Sequence, residues 1–228
     1  MSNLSDLTPF VRAAETPIRD LVAGRTRTLG GVTTAAAVLV AASLEQESWL
    51  AVAPSAEAAR RWQADLAAYG VEALYFPAVE VTPYEGVSPE EALLHERLTV
   101  LATLGTPGPH RVVTTTRAIA MRLPSPQAWR NASLELVPGT ALSPLALTER
   151  LIQLGYRPSP AVSETGEFSR RGGILDVFPP QEEGPFRLEW FGDEIDRIQR
   201  IDAASQRSIE AVDSLRLWPT RELLLPTE

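Results

Sequence analysis

Residues 167–180 read EFSRRGGILDVFPP and residues 185–202 read PFRLEWFGDEIDRIQRID. Positions 187–191 alternate polar and apolar, as a half-exposed antiparallel strand does. The pair Gly192-Asp193 then supplies a tight hairpin turn, because the favoured two-residue turns need positive φ. These runs are expected to be antiparallel strands. Upstream, LELVPG (134–139) reads as a short strand, and SPLALTERLIQLG (143–155) as a helix. PSPQAW (124–129) is broken by prolines, and the change of texture places a domain boundary near Leu123. Residues 123–219 are thus expected to form a small α+β domain, with 220–228 an exit segment in the tail LWPTRELLLPTE (217–228).

The preceding 122 residues have a different rhythm. A glycine-rich turn leads into an alanine-rich helix within 15–44. SWLAVAP (48–54) reads as a strand, and SAEAARRWQADLAAYG (55–70) as a helix opened by a serine cap and stopped at Gly70. VEALYFP (71–77) is a second strand, VSPEEALLHERLTVLATLG (87–105) a helix with Ser88 as cap and Pro89 at its first position, and HRVVTTT (110–116) a third strand. Strands alternating with helices imply a parallel sheet. The fold class is α/β: a parallel-sheet unit over 1–122, like a degenerate P-loop motor, followed by the smaller domain.

Composition narrows the chemistry. The chain of 228 residues has no cysteine and only two histidines, His95 and His110, so a thiolate or imidazole metal cluster is not expected. No cofactor is expected either. All 21 basic residues are arginine, and the net charge is −8, which favours a protein partner over a polyphosphate one. No run reaches the roughly 20 apolar residues of a membrane span. The start MSNLSDLTPF lacks the pattern of a signal peptide, so a cytoplasmic location and no membrane contact are expected.

GRTRTLGGVTT (24–34) sits where a P-loop would. A working loop needs G-x-x-x-x-G-K-[ST], in which lysine reaches the β and γ phosphates. Here Gly24 is followed by Gly30, Gly31 and Thr33 without a lysine, and the chain contains none. A structural turn is expected, with no ATP hydrolysis and no catalytic residue. Asp193-Glu194-Ile195-Asp196 spells a helicase acidic box but lies in the hairpin turn. FPAVEVTPYEGVSPE (76–90) reads as a shaped loop or a partner contact. The strongest constellation is Arg170-Arg171-Gly172-Gly173 with Arg187 and Phe191. Arginines around an aromatic are the usual makeup of an interface hot spot; solvated arginines on a twisted hairpin are the alternative.

At these residues the chain resembles the region shared by the excision-repair helicase subunit UvrB and the transcription-repair coupling factors. The matching text is GEFSRRGGILDVFPP (166–180) and FRLEWFGDEIDRIQRIDAASQRS (186–208). The family patterns are R-G-x-[IL]-[LI]-D-[LVI]-F-P and R-[LV]-[ED]-[FW]-F-[GD]-D-E-I-[DE]. FPAVEVTPYEGVSPEEALLHERLTVLATL (76–104) resembles the coupling factors' aromatic-proline path and following helix. UvrB has the P-loop lysine and a tyrosine-rich DNA hairpin, whereas Tyr69, Tyr75, Tyr84 and Tyr156 are scattered here, so the coupling factors are the better match. The resemblance implies a UvrA-binding domain with contacts at Arg171, Arg187 and Phe191, and Arg170 adjacent. It implies an adaptor that recruits excision repair to stalled RNA polymerase, with polymerase and double-stranded DNA contacted by parts absent from this chain. The rivals are an ATP-dependent, UvrB-like damage verifier and an arginine-strip nucleic-acid binder.

Overall fold

The computed structural model describes residues 33–44, 46–79 and 91–222. Among them the chain divides into two compact units. The first runs through Val100 and takes Thr106–Arg122; the second takes Leu101–Gly105 and the residues from Leu123 on.

In the first unit, Thr33 caps helix α1 (Thr34–Ala42) by accepting a bond from the Ala36 amide. Strand β1 (Trp49–Ala53) follows, and Ser55 caps helix α2 (Ala56–Ala68) in the same way, through the Ala58 amide. Such caps satisfy amides that the first helical turn leaves without partners. Strand β2 (Leu74–Phe76), helix α3 (Glu91–Leu104) as far as Val100, strand β3 (Arg111–Thr115) and the short helix α4 (Thr116–Ile119) complete the unit. The three strands form a parallel sheet in the order β1-β3-β2. Val38, Ala42, Ala59, Leu66, Tyr75 and Val113 meet in its core. The alternation of strand and helix therefore gives the parallel sheet that the sequence implies. Gly24, Gly30, Gly31, Ser88 and Pro89 lie outside the described residues, so the P-loop likeness rests on Thr33 alone, which serves as an ordinary helix cap.

The second unit opens with helix α5 (Pro126–Ala132), in a stretch expected to be broken by its prolines. Pro126 occupies the first helical turn, where its missing N–H costs nothing, and Ser125 caps the Ala128 amide. Strand β4 (Leu134–Leu136) leads to helix α6 (Pro144–Leu154), again with a serine cap, Ser143, and an early proline. Gly155 ends α6 at φ 96°, a left-handed conformation that glycine adopts without strain. Strands β5 (Arg157–Pro158), β6 (Glu167–Arg171), β7 (Ile174–Val177), β8 (Phe186–Phe191), β9 (Glu194–Ile201) and β10 (Ser208–Ala211) then form one sheet in the order β10-β9-β8-β7-β6-β5. It is antiparallel except between β5 and β6. Strand β11 (Leu215–Leu217) pairs with β4.

One face of the large sheet supplies Phe168, Leu175, Val177, Phe186, Leu188 and Ile198, all buried in a core with Leu147, Leu151 and Leu154 of α6. The helical residues recur at intervals of four and three, the spacing of one helix face. Leu217 and Trp218, at the head of the expected exit tail, are instead buried. Trp218 stacks on Trp129 and its carbonyl accepts the Tyr156 hydroxyl at 3.0 Å. The Thr220 amide and the Arg221 guanidinium bond the carbonyls of Leu154 and Gln153 at the end of α6. Among the described residues no helix is long and apolar enough to cross a membrane.

Leu151, fully buried under this sheet, tests the packing. Leu151→Ala is expected to cost about 2–5 kcal/mol, read as a lower urea midpoint at unchanged slope. An unchanged midpoint would contradict the placement of α6.

Candidate protein-docking face

Cross-strand register decides which side chains meet. Arg171 stands opposite Ile174, Ile174 opposite Glu189, and Glu189 opposite Arg197, so these four form one row across β6 to β9. A second row on the same face runs Ser169, Asp176, Arg187 and Gln199. Successive strand residues point to opposite faces, so this face is the one turned away from α6. Phe191 follows Glu189 by two residues and shares it.

The two hairpin turns, Gly172-Gly173 and Gly192-Asp193, lie at the same end of the sheet, joined where the Trp190 amide bonds the Gly173 carbonyl. Gly172 and Gly192 take φ of 60° and 64°, which any β-branched residue would strain to adopt. That end presents Arg171, Ile174 and Phe191. Phe191 is 84% exposed, the most exposed large apolar side chain among the described residues. Asp193 and Glu194 are exposed turn and strand residues while Ile195 is buried, as suits a hairpin and not an acidic box at the end of a central strand.

Each arginine has a different setting. Arg187 donates from Nε and Nη2 to the two carboxylate oxygens of Asp176, at 2.7 and 2.8 Å. Asp176 is 3% exposed and the Arg187 side chain 20%. Bonding to Asp176 holds the guanidinium more firmly protonated than usual, against the opposing effect of partial burial. Arg171 is exposed and donates to the Pro160 carbonyl at 2.8 Å. Arg170 pairs with Leu175 in the row on the other face. The structure thus brings Arg171, Arg187 and Phe191 to one face and separates Arg170 from them.

A strap of residues 159–163 crosses that face. Its Pro160 carbonyl also accepts the Ser169 hydroxyl, and its Val162 carbonyl accepts Gln206 Nε2 from the turn between β9 and β10. Glu167 ties the strap down by accepting the amides of Ser163 and Glu164, both at 3.0 Å. Desolvation pushes the Glu167 carboxyl up, but these amide bonds, together with the Ser163 hydroxyl, outweigh it and leave the carboxyl below its ordinary range. Asp176, Ile174 and the strap did not emerge from the motif reading. The available signal for Asp176 was an acid between Leu175 and Val177, which alternation turns away from the core.

With this geometry in place, comparison with known proteins is direct. Residues 134–223, which hold the whole face, match the family model of the UvrB interaction domain. The transcription-repair-coupling factor of Myxococcus xanthus is 40% identical over 157 residues, 68% of this chain and 13% of that protein. Those of Escherichia coli and Bacillus subtilis are 33% and 35% identical over 90% and 68% of this chain.

The chain is a homologue of the transcription-repair-coupling factors. It spans only 13% to 18% of the length of these relatives. The identity with the Escherichia coli coupling factor covers 210 residues, more than the UvrB interaction domain occupies, so the first unit belongs to the likeness too.

Two outcomes follow. Because its folded pKa is depressed, Glu167 stabilises the strap above the ordinary glutamate range and loses that contribution as pH falls through the lowered value. The hydrogen-exchange protection of the Ser163 and Glu164 amides should therefore fall at acid pH relative to that of the β8 amides; an unchanged ratio would contradict the tie. Separately, Phe191→Ala should leave stability within about 0.5 kcal/mol of the parent, because the side chain is 84% exposed. A clear drop in the urea midpoint would show it to be part of the core.

Proposed function

We propose that this chain is a non-catalytic adaptor that docks the excision-repair protein UvrA through the sheet face bearing Arg171, Arg187 and Phe191. The observation that carries the reading is Phe191: a phenyl ring left in water at the hairpin end of an otherwise well-packed unit, on the same sheet face as Arg171 and Arg187. Exposing such a ring is unfavourable for a free protein and useful for a docking one, since Phe buries large area with few torsions to freeze. The guanidinium groups supply planar donors for carboxylates on the partner. The UvrB interaction domain match and the coupling-factor relatives support excision repair as the process served.

In this reading the chain recruits repair proteins to a stalled RNA polymerase, in the cytoplasm. Polymerase and double-stranded DNA are contacted by regions of the longer coupling factors outside this chain. The first unit acts as a motor-like scaffold, 1–122, that does not hydrolyse ATP, because no lysine is available to bridge phosphates. A UvrB-like damage verifier would need that lysine. A nucleic-acid strip is disfavoured because Arg170 faces the other way from Arg171 and Arg187 and the net charge is −8.

Calorimetric titration of UvrA with the chain tests the reading. Phe191→Ala should weaken binding by about 2 kcal/mol, near 30-fold, as interface hot spots do, and Arg171→Ala should also weaken it. A folded wild-type chain that fails to bind UvrA would contradict the proposal.

A further inference from the structure

We infer that Asp176 is a positioning residue for docking, holding the Arg187 guanidinium in one orientation so that the edge outside the pair meets the partner. This rests on the docking reading above and adds to it a residue that makes no contact with the partner itself.

The geometry carries the argument. Asp176 stands directly opposite Arg187 across β7 and β8, and both of its carboxylate oxygens accept from the guanidinium, through Nε and Nη2. A two-point bond between planar groups fixes rotation as well as position, which a single bond to a carbonyl does not. The carboxylate is buried, yet it lies on the face away from α6, so the apolar core does not need it there. One-fifth of the arginine side chain remains exposed, and Nη1 lies outside the pair. A long side chain frozen before association loses less freedom on docking, so the complex gains affinity without a new contact.

Charge alone predicts the opposite effect. If the partner offers carboxylates to this face, removing the negative charge of Asp176 would strengthen attraction, and Asp176→Asn would bind more tightly. If Asp176 acts by orienting Arg187, Asp176→Asn binds more weakly despite the added net positive charge.

The test is a double-mutant cycle on UvrA binding with Asp176→Asn, Arg187→Ala and the two combined, each checked for a folded urea transition. Asp176→Asn is expected to weaken binding about tenfold in the parent and to have no further effect on the Arg187→Ala background, because its role passes through that side chain. Tighter binding by Asp176→Asn, or an equal penalty in both backgrounds, would overturn the inference. If wild type itself does not bind UvrA, the docking reading fails first, and this inference with it. A second measurement needs no variant to fold: nuclear relaxation of the Arg187 Nε–Hε group in the free wild-type chain. A rigid signal is expected, more ordered than that of exposed Arg207, and a freely rotating one would overturn the positioning role whatever the binding result.

Discussion

The second unit depends on a single constraint, the period of two along β6 to β9 beneath helix α6. Once Phe168, Leu175, Val177, Phe186, Leu188 and Ile198 are committed to the helix, every intervening residue is turned to the other face with no freedom to choose. A slip of one residue in β8 would bury Arg187 and Glu189 and expose Phe186 and Leu188, at a cost of about 1.5–3 kcal/mol for each large apolar side chain moved into water. The proposed docking face is therefore a consequence of core packing. Its residues are held to a common plane by a sheet whose register the core enforces.

That face manages its polar groups in a way that bears on recognition. Ser169 and Asp176 are buried although they point away from the core, and each has a defined partner: the Pro160 carbonyl for Ser169 and the Arg187 guanidinium for Asp176. Buried polar groups are costly only when unpaired. The strap and the ion pair thus supply partners for Ser169 and Asp176, while the end of the face at Gly172 and Gly192 carries the exposed Phe191. Phe191, the most exposed large apolar side chain among the described residues, stands where the two glycine turns meet, with Ile174 on the same face.

Much of this architecture was legible in the sequence. Serine caps followed by proline or glutamate placed helices α2 and α6, and alternation placed β6 to β9 with the turn at Gly192. What escaped was long-range. Residues 124–129 look broken by prolines, but Pro126 sits at the one helical position that tolerates it, which only the cap at Ser125 reveals. The tail from Leu217 reads as an exit, yet Trp218 is packed against Trp129, a partner 89 positions earlier in the chain. At the face itself, Arg171, Arg187 and Phe191 stand out by type, whereas the commitment of Arg187 to Asp176 and of Arg171 to Pro160 depends on register and on a strap with no motif. Arg170 and Arg171, adjacent in sequence, point to opposite faces for the same reason that the core exists.

In the proposed reading, the partner docks against the face of this sheet with Phe191 at its hairpin end. Hydrogen exchange of the chain, free and saturated with UvrA, locates the contact without mutation. Slowed exchange confined to the turns at 171–174 and 191–194 and the strands that carry them is the expected result. Protection that falls on the first unit or on β10, with those turns unchanged, would contradict the account.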